Sequence, residues 1–357
     1  MTSSPHPLEL MVPDGFEQVA YGHDAATGLR VIVAIHSTVL GPALGGTRFW
    51  PYPDEAAALV DVCRLAKGMT YKHAAAGLAQ GGGKAVILGD PRTLRSDALM
   101  LAYGRFVDGL SGRYVTAEDV GTTQADMDLI RTVTRHVTGV SESLGGSGDP
   151  SPATALGVLW AMRAVATRLW GSSSLVGRHI CISGVGKVGA ALADHLHAEG
   201  ARLSVADVRP EATAAVADRT GATVVDVARA HAVTCDIFSP CALGAVLDSV
   251  TIGELDCAAV VGSANNQLAT EEDGPRIQAS GVLYAPDYVV NAGGVINIAE
   301  EQHGYDHARA EAQIRRIHDT ILEVLDLAEA EGLTTADAAD RLAERRIDAA
   351  RVAAQPS

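Results

Sequence analysis

The sequence predicts an α/β fold with two domains separated by a cleft, and three observations lead to this prediction. The chain has 357 residues, which is enough for two domains of ordinary size. Strand-like and helix-like segments alternate along it, as in layered α/β proteins. The tract "SESLGGSGDPSPAT" is rich in glycine, serine and proline, which is typical of a loop at a domain boundary. We expect a substrate-binding and oligomerisation domain over 1–150, joined by the C-terminal helix at 333–357, and a dinucleotide-binding domain over 151–332.

Composition and charge limit the classes of function. The hydrophobic fraction of 47% and the charged fraction of 20% are typical of a soluble globular protein. No apolar run reaches the roughly 18 residues of a membrane helix, and the start "MTSSPHPLELMVPDGFEQ" lacks the regions of a signal peptide. We therefore expect a cytoplasmic protein. A net charge of −15 disfavours nucleic acid or an anionic membrane as a partner.

The five cysteines predict neither disulfides nor a metal site. They form no CxxC pair, and no histidine lies at zinc-ligand spacing from them. We expect them to be reduced residues of the core, and we expect the protein to bind no metal.

The first domain is predicted as an alternation of strands and helices. Residues 15–37 should form two strands joined by a turn, and a helix should follow over 54–77 with Asp54 as its N-cap. The glycines of "GGGKAVILG" should form a return before a strand that starts at Lys84. A helix over 96–110 should precede the strand "RYVTAEDVG", which ends with Asp119.

The second domain should begin with a helix over 155–170 and continue with strands at 179–183 and 202–207. Amphipathic helices are predicted over 306–331 and 335–350. Gly332 is suited to end the first of them, and Thr334 to cap the second.

The segment "HICISGVGKVGAALADHLHAEGARLSVADV" predicts a Rossmann-type, doubly wound dinucleotide-binding domain. The pattern Gly184-x-Gly186-x-x-Gly189 follows a strand and opens a helix, and Asp207 ends the next strand about 20 residues later. The helix N-terminus would bind the pyrophosphate, and Asp207 would bind the adenosine ribose. The contact residues predicted in this loop are Gly184, Val185, Gly186, Lys187, Val188 and Gly189. The alternative is a tight turn that binds no ligand.

Asp207 also bears on the choice of dinucleotide. Its carboxylate would repel a 2′-phosphate, which favours NAD over NADP. Arg209, two residues later, leaves NADP open as the alternative.

Two lysines and an aspartate in the first domain are candidate substrate-binding or catalytic residues. Lys72 lies at a predicted helix end, Lys84 at a strand start and Asp119 at another strand end, so all three could meet. Taken alone, a lysine after a glycine-rich turn is more often a solvated surface residue.

The chain resembles the Glu/Leu/Phe/Val amino-acid dehydrogenases, and most closely the leucine and valine branch. The matching motifs are "GPALGGTRFWPY", "KGMTYKHAAAGLAQGGGKAVI", "TAEDVGTTQADMD", "GVGKVG", "FSPCALGAV", "GSANNQLA" and "YAPDYVVNAGGVIN". They run through nearly the whole chain. The resemblance implies reversible oxidative deamination of an L-amino acid to a 2-oxo acid and ammonia, with hydride transfer to a nicotinamide cofactor. A homo-oligomer is also expected.

Residue roles follow from the same motifs. Lys72 matches the lysine that binds the substrate carboxylate, Lys84 the catalytic lysine, and Asp119 the aspartate that exchanges protons with the amino group. Gly45 and Gly46 match the backbone beside the bound amino acid. The residues in motifs that line the nicotinamide half of the cleft are Arg48, Thr154, Cys241, Ala242, Ala264, Asn265 and Asn291, and Asn265 is also expected to bind the substrate.

Four apolar residues predict a branched-chain aliphatic substrate such as valine, leucine or isoleucine. Leu44 stands where glutamate-specific members carry a lysine, and Ile298 where they carry a serine; Ala117 and Val295 complete an apolar pocket. Phenylalanine, and less so glutamate, remain alternative substrates. An inactive NAD-binding sensor is the alternative from a different class, and the presence of Lys72, Lys84 and Asp119 argues against it.

Overall fold

The computed structural model describes residues 6–354, which form two compact units. The first unit runs to Asp149 and includes Ile298–His307 and the end of the chain from Ala343. The second comprises Pro150–Asn297 and Ala308–Leu342. These bounds differ from the expected ones in two ways. Ile298–His307 belong to the first unit, and the C-terminal helix is divided between the units instead of belonging to the first alone.

The first unit is built on a mixed sheet. Its strands are β1 (Gln18–Asp24), β2 (Leu29–Ser37), β3 (Ala43–Trp50), β4 (Gly81–Leu88) and β5 (Tyr114–Glu118). Its helices before residue 150 are α1 (Pro7–Asp14), α2 (Glu55–Ala75), α3 (Pro91–Leu94), α4 (Asp97–Gly109) and α5 (Gln124–Arg131), and a 3₁₀ turn follows at Glu142–Leu144. The strand order is β1-β2-β4-β3-β5. β2 is antiparallel to β1 and β4, whereas β3 is parallel to β4 and β5.

Each face of this sheet is covered by a helix. Ile32, Ala34 and Val86 pack against α2, while Val33, Ile35 and Ile87 pack on the other face in the cluster that contains α4 and α5. The predicted N-cap of α2 is confirmed, because Asp54 accepts a hydrogen bond from the backbone N–H of Ala57.

The three glycines at 81–83 are the first residues of β4, so the predicted glycine-rich return is wrong. Close packing explains why a strand carries them. A Cβ on Gly81 would lie 2.0 Å from the carbonyl oxygen of Ser37, and one on Gly82 would lie 2.1 Å from the backbone nitrogen of Thr70 in α2. Neighbouring backbone therefore occupies the space that side chains would need.

The second unit contains a parallel sheet. Its strands are β6 (His179–Ser183), β7 (Arg202–Ala206), β8 (Thr223–Val224), β9 (Cys235–Pro240), β10 (Cys257–Val260) and β11 (Leu283–Tyr284). The strand order is β11-β10-β9-β6-β7-β8, and the sheet is parallel throughout. Chain order reverses between the neighbours β6 and β9, as in doubly wound dinucleotide-binding folds. The predicted fold class, two α/β domains of which the second is of the Rossmann type, is confirmed.

Helices and short 3₁₀ turns complete the described chain. The helices are α6 (Ser151–Trp170), α7 (Lys187–Ala198), α8 (Pro210–Thr220), α9 (Thr251–Glu254), α10 (Asp273–Ser280), α11 (Asp287–Val290), α12 (Gly293–Glu300), α13 (His307–Arg315), α14 (Ile317–Glu331) and α15 (Thr335–Ala353). The turns lie at Val227–Ala232 and Glu301–His303. Over residues 6–354, no helix is long and apolar enough to cross a membrane.

One helix starts earlier than predicted, one predicted helix is divided in two, and one predicted helix end and cap are found where expected. α6 starts at Ser151, four residues earlier than predicted, because a proline is tolerated in its first turn. The helix predicted over 306–331 is divided at Arg316, whose N–H bonds to Gln313 in a tighter i−3 turn. The predicted end at Gly332 (φ 66°) and the cap at Thr334, whose Oγ1 accepts from the N–H of Asp337, are confirmed.

Candidate active site

The strands β3, β4 and β5 bring candidate residues to one face of the first sheet. Leu44 on β3 lies opposite Gly82 on β4, and Gly46 lies opposite Ala117 on β5. Residues in register point to the same face, and side chains alternate along each strand. Leu44, Ala117 and Lys84 therefore share the face that α2 covers.

Lys84 and Asp119 form an ion pair on this face. Lys84 Nζ lies 2.7 Å from Asp119 Oδ2, and the two side chains are only 9% and 22% exposed. Burial opposes ionisation of Asp119, but the charge and hydrogen bond of Lys84, together with Arg48, hold the pKa of this carboxyl below its usual value. Asp119 is thus a carboxylate at neutral pH, with a cation in direct contact.

Gly46 lies on the face of the ion pair, and Gly45 lies on the opposite face, where β3 approaches β4 closely. A Cβ on Gly45 would lie 1.8 Å from the carbonyl oxygen of Gly83, just before Lys84. A Cβ on Gly46 would lie 2.9 Å from Asp119 Cβ. Both positions exclude a side chain, and Gly46 thereby leaves the space beside Asp119 open for Lys84.

Arg48 lies beside the same carboxylate, two residues after Gly46 on β3. Its Nε is 3.4 Å from Asp119 Oδ2, and its Nη1 is 2.8 Å from Asp61 Oδ2. Tyr52 donates a hydrogen bond to the same oxygen of Asp61 at 2.6 Å. Arg48, expected at the nicotinamide, is therefore held within the first unit by two acidic side chains.

Lys72 occupies the last turn of α2, where it is half-buried. The adjacent His73 is fully buried, and its Nδ1 lies 2.7 Å from the carbonyl oxygen of Gly81. Burial lowers the pKa of His73 to about 4, although the Gly81 carbonyl acts in the opposite direction; the charge of Lys72 lowers it further. His73 is a neutral packing residue that fixes the end of α2 on β4.

The four residues predicted to contact the substrate side chain lie on two strands and one helix. Leu44 and Ala117 are buried on β3 and β5 in the first unit. Val295 and Ile298 are half-buried on α12, three residues apart, as predicted for a shared helix face.

In the second unit, the glycine pattern forms the turn from β6 to α7. Gly184 has φ 101°, and a Cβ there would lie 2.6 Å from Ala242 Cβ. A Cβ on Gly189 would lie 2.0 Å from the carbonyl oxygen of Gly184, so helix and strand are in close contact. Gly186 lies at the N-terminus of α7, and a Cβ there would meet no atom within 4 Å. This geometry would let a pyrophosphate approach the backbone. Val185, Lys187 and Val188 belong to the same turn and first helical residues.

Asp207 follows β7 and is tied to this turn. Its Oδ2 accepts from the N–H of Val185 at 2.8 Å, and its Oδ1 accepts from the N–H of Arg209 at 3.0 Å. The guanidinium of Arg209 is also in contact, with Nε 3.3 Å from Oδ1. Burial opposes ionisation, yet the backbone N–H groups and Arg209 lower the pKa of Asp207. A carboxylate thus stands at the position expected to bind a ribose.

Asn265 and Asn291 meet beyond the carboxyl end of β10. Asn291 Nδ2 donates to Asn265 Oδ1 at 2.8 Å and to the carbonyl oxygen of Ser263 at 3.2 Å. Asn291 Oδ1 is buried without a hydrogen-bond partner. An orphaned buried acceptor is costly, and an amide donor from a nicotinamide would satisfy it. The glycine turn, Asp207 and this acceptor together fit a dinucleotide.

The remaining predicted cofactor residues lie around the same strand ends. Cys241 N donates to the carbonyl oxygen of Ser183 at 2.7 Å, and Ala264 N donates to that of Pro240 at 2.9 Å. Thr154 lies in the first turn of α6, where its Oγ1 would be 2.6 Å from a Cβ on Gly294 at the start of α12. The predicted site residues are thus assembled as two sets, one within each unit.

The contribution of Asp61 and Tyr52 was missed in the sequence. Asp61 reads as one polar position of an amphipathic helix, and nothing local connects it to Arg48 or Asp119. The only available signal was a carboxylate on the helix after β3, directly before the buried Val62. No group of side chains suited to a metal ion is found within 6–354.

Family models match most of the chain. Residues 17–136 match the Glu/Leu/Phe/Val dehydrogenase dimerisation domain, and residues 145–231 and 206–354 match the Glutamate/Leucine/Phenylalanine/Valine dehydrogenase domain. The chain belongs to the Glu/Leu/Phe/Val dehydrogenase family. It is an amino-acid dehydrogenase, and members of this family use NAD or NADP.

Individual relatives of this dehydrogenase cover nearly its whole length. Leucine dehydrogenase from Bacillus cereus is 52% identical over 332 residues, which is 93% of this chain and 91% of the relative. Valine dehydrogenase from Streptomyces albus is 51% identical over 341 residues, or 94% and 93% of the two chains. The crystal structure of L-tryptophan dehydrogenase from Nostoc punctiforme superposes with a TM-score of 0.88 at 42% identity, covering 97% of this chain and 99% of that one.

Proposed function

We propose that the protein catalyses the reversible, NAD-dependent oxidative deamination of a branched-chain aliphatic L-amino acid to its 2-oxo acid and ammonia. The observation that carries the proposal is the buried Lys84–Asp119 ion pair, with Nζ and Oδ2 2.7 Å apart beside the glycines of β3. Similarity to leucine and valine dehydrogenases at about half identity supports the substrate class.

Lys84 and Asp119 are assigned the proton transfers. Asp119 exchanges a proton with the substrate nitrogen. Lys84, after giving a proton to Asp119 across their contact, accepts a proton from water while the water oxygen bonds to the imino carbon, and Asp119 passes the first proton to the imino nitrogen. The nitrogen then leaves as ammonia, so imino acid and water become 2-oxo acid and ammonia. Both groups must lie within hydrogen-bond reach of the reacting atoms. Because Lys84 Nζ and Asp119 Oδ2 are in contact, one substrate can lie within reach of both.

Lys72 is assigned to the substrate carboxylate, and Gly45 and Gly46 to the backbone beside the substrate. An ammonium suits a carboxylate as a point charge with three donors. Lys72 ends α2, whose position on β4 is fixed by the contact of His73 with Gly81. Gly46 lacks the Cβ that would obstruct the approach of a ligand to Lys84.

NAD is the proposed cofactor. When bound, its nicotinamide ring accepts the hydride from the α-carbon of the amino acid. Gly184–Gly189 at the start of α7 are assigned to the pyrophosphate, and Asp207 to the ribose. Asn291 and Asn265 are assigned to the nicotinamide end together with Thr154, Cys241, Ala242 and Ala264. NAD is preferred over NADP because the carboxylate of Asp207 would repel a 2′-phosphate, and Arg209 is engaged with that carboxylate.

The apolar residues Leu44, Ala117, Val295 and Ile298 are assigned to the substrate side chain. None of them carries a donor or a charge, so a γ-carboxylate beside them would be buried without a partner, at a cost of several kcal/mol. Phenylalanine is the alternative substrate, since only shape opposes it, and the aromatic substrate of the tryptophan dehydrogenase relative keeps that alternative open.

A homo-oligomer in the cytoplasm is proposed as the working form. The match to a dimerisation domain supports an oligomer, and β1 is an edge strand with Tyr21 45% exposed. All five cysteines lie in the described chain and are unpaired, as expected in a reducing compartment. Reduction of NAD with a panel of L-amino acids tests the function, and an inactive NAD-binding protein would reduce NAD with none of them.

A further inference from the structure

Arg48 lies between two carboxylates, and its tighter contact is with the one outside the proposed reacting pair. Nη1 is 2.8 Å from Asp61 Oδ2, whereas Nε is 3.4 Å from Asp119 Oδ2. A guanidinium is a rigid planar fork, so a partner that fixes Nη1 also fixes the direction of Nε. Asp61 therefore contributes more than Asp119 to the orientation of Arg48.

Asp61 is itself held in place. Its Oδ2 accepts from the phenol of Tyr52 at 2.6 Å as well as from Arg48, and its Oδ1 accepts from Arg64 Nη2 at 2.9 Å. Burial opposes ionisation, but the hydrogen bonds from Tyr52 and Arg64 and the charge of Arg48 lower the pKa of Asp61. Asp61 is thus a fixed anion on α2 at neutral pH.

Both cations meet the same oxygen of Asp119. Lys84 Nζ lies 2.7 Å and Arg48 Nε 3.4 Å from Oδ2. The direction in which this carboxylate points therefore depends on where Arg48 is held. A displacement of about 1 Å at a reacting group can cost about a hundredfold in rate.

We propose that Asp61 is a positioning residue of the enzyme: with Tyr52 it fixes Arg48 against Asp119, and through Arg48 it keeps Asp119 and Lys84 in their reactive arrangement. This inference rests on the proposed function, because it takes Lys84 and Asp119 as the reacting pair. The alternative is that Asp61 only stabilises the contact between α2 and the segment after β3.

A double-mutant cycle distinguishes the two roles. Asp61→Ala should lower kcat with L-valine by about tenfold to a hundredfold, with KM for valine changed less than about threefold because Lys72 binds the carboxylate. Arg48→Gln should lower kcat as well. The double variant should be no slower than Arg48→Gln alone, since Asp61 acts through Arg48. Multiplicative losses in the double variant would overturn the proposal.

Three further variants keep the test decisive. Asp61→Asn can still accept a hydrogen bond from Arg48 and should recover most of kcat, whereas Tyr52→Phe should cause a smaller loss than Asp61→Ala. The side chain of Arg64 is 57% exposed, so this partner of Asp61 contributes little to its position. Arg64→Gln should therefore leave kcat within about twofold of the wild-type value. Should Asp61→Ala fail to fold, Tyr52→Phe takes its place in the cycle with Arg48→Gln.

NAD binding and the activity of the wild type distinguish a failure of the positioning role from a failure of the proposed function. Each variant should bind NAD with the affinity of the wild type, measured by fluorescence titration, if it is folded. A kcat loss in Asp61→Ala that Asp61→Asn does not recover would assign Asp61 a role other than positioning Arg48. A wild-type enzyme inactive with every amino acid would overturn the proposed function; an active wild type with multiplicative losses would overturn the positioning role alone.

Discussion

Lys84 Nζ lies 2.7 Å from Asp119 Oδ2, and the two residues come from β4 and from the end of β5, with β3 between them. The intervening strand carries Gly46 on the same face, so no side chain separates the ammonium from the carboxylate. The ion pair therefore depends on a strand that contributes backbone but no side chain.

Replacing Lys84 should abolish most of the activity. A positioned acid or base contributes about 10²–10⁴-fold, so Lys84→Ala should lose at least that factor in kcat. Lys84→Arg keeps a cation beside Asp119 but cannot supply a neutral base at working pH, and it should be equally impaired. Steady-state kinetics with L-valine measure both effects.

The matched control is Lys67→Ala on the same helix that carries Lys72. Lys67 forms a surface ion pair with Asp14, with 40% and 44% of the two side chains exposed. Its replacement should leave kcat unchanged. More than a tenth of wild-type turnover in Lys84→Ala would refute the assignment of Lys84 as the base.

Alanine at either glycine of β3 should destabilise the enzyme and inactivate what remains folded. A new Cβ would lie 1.8 Å from Gly83 O at position 45, or 2.5 Å from Glu118 O at position 46, so strands must separate. Gly68→Ala in α2 is the control, because its Cβ would meet nothing within 4 Å and alanine favours helix by roughly 1 kcal/mol. Thermal unfolding should place Gly45→Ala and Gly46→Ala below the wild type and Gly68→Ala at or above it; the reverse order would contradict the packing of β3.

His73 should make the enzyme less stable as the pH falls. Burial lowers its pKa to about 4 in the folded state, and its Nε2 has no partner for a second proton. The unfolded chain, with a histidine pKa near 6.5, therefore binds a proton that the native state does not. The stabilisation is present above about pH 6.5 and decreases toward pH 4, by about 2 kcal/mol between pH 7 and pH 5.

Asparagine at position 73 provides the comparison. Its amide can still donate to the carbonyl of Gly81 but does not titrate. Urea unfolding at pH 7 and pH 5, at one protein concentration, should show a smaller loss for His73→Asn than for the wild type. The remaining loss would include His36, whose pKa burial also lowers. Equal losses would show that His73 is not the titrating group.

The wild type should use NAD better than NADP, and Asp207→Asn should narrow the difference. Asparagine removes the charge that repels a 2′-phosphate and frees Arg209, while its oxygen can still accept from Val185. The ratio of kcat/KM for NADP to that for NAD should rise by about tenfold, or 1.4 kcal/mol. Asp194→Asn, which removes another aspartate paired with an arginine in the same unit, should not change the ratio. Equal use of both dinucleotides by the wild type would show that Arg209 decides the preference.

Local patterns predicted β6, β7 and the glycine turn between them, because the spacing of Gly184, Gly186, Gly189 and Asp207 is read along one continuous segment. β3 was not predicted, since "ALGGTRFW" contains two glycines where a strand normally carries packing side chains. The glycines of β4 were assigned to a turn for the same reason. Both errors arise where backbone approaches backbone across strands distant in sequence.

The candidate site was predicted only in part. Motifs pointed to Lys84 and Asp119, and the structure places them in contact. The contacts of Arg48 with Asp61 and Asp119 join β3, α2 and the end of β5, so no local pattern could indicate them. The assigned roles of these residues stay predictions that the variants above test.

The kcat/KM values for L-valine, L-leucine, L-phenylalanine and L-glutamate, measured with NAD on the wild type, test the proposed function most directly. Valine and leucine should be the best substrates and differ least, because an apolar pocket discriminates by about 1–3 kcal/mol per methylene. Phenylalanine should be lower, and glutamate lower by orders of magnitude, because its γ-carboxylate would lack a partner beside Leu44 and Ala117. A value for glutamate within tenfold of that for valine would contradict the proposed substrate class.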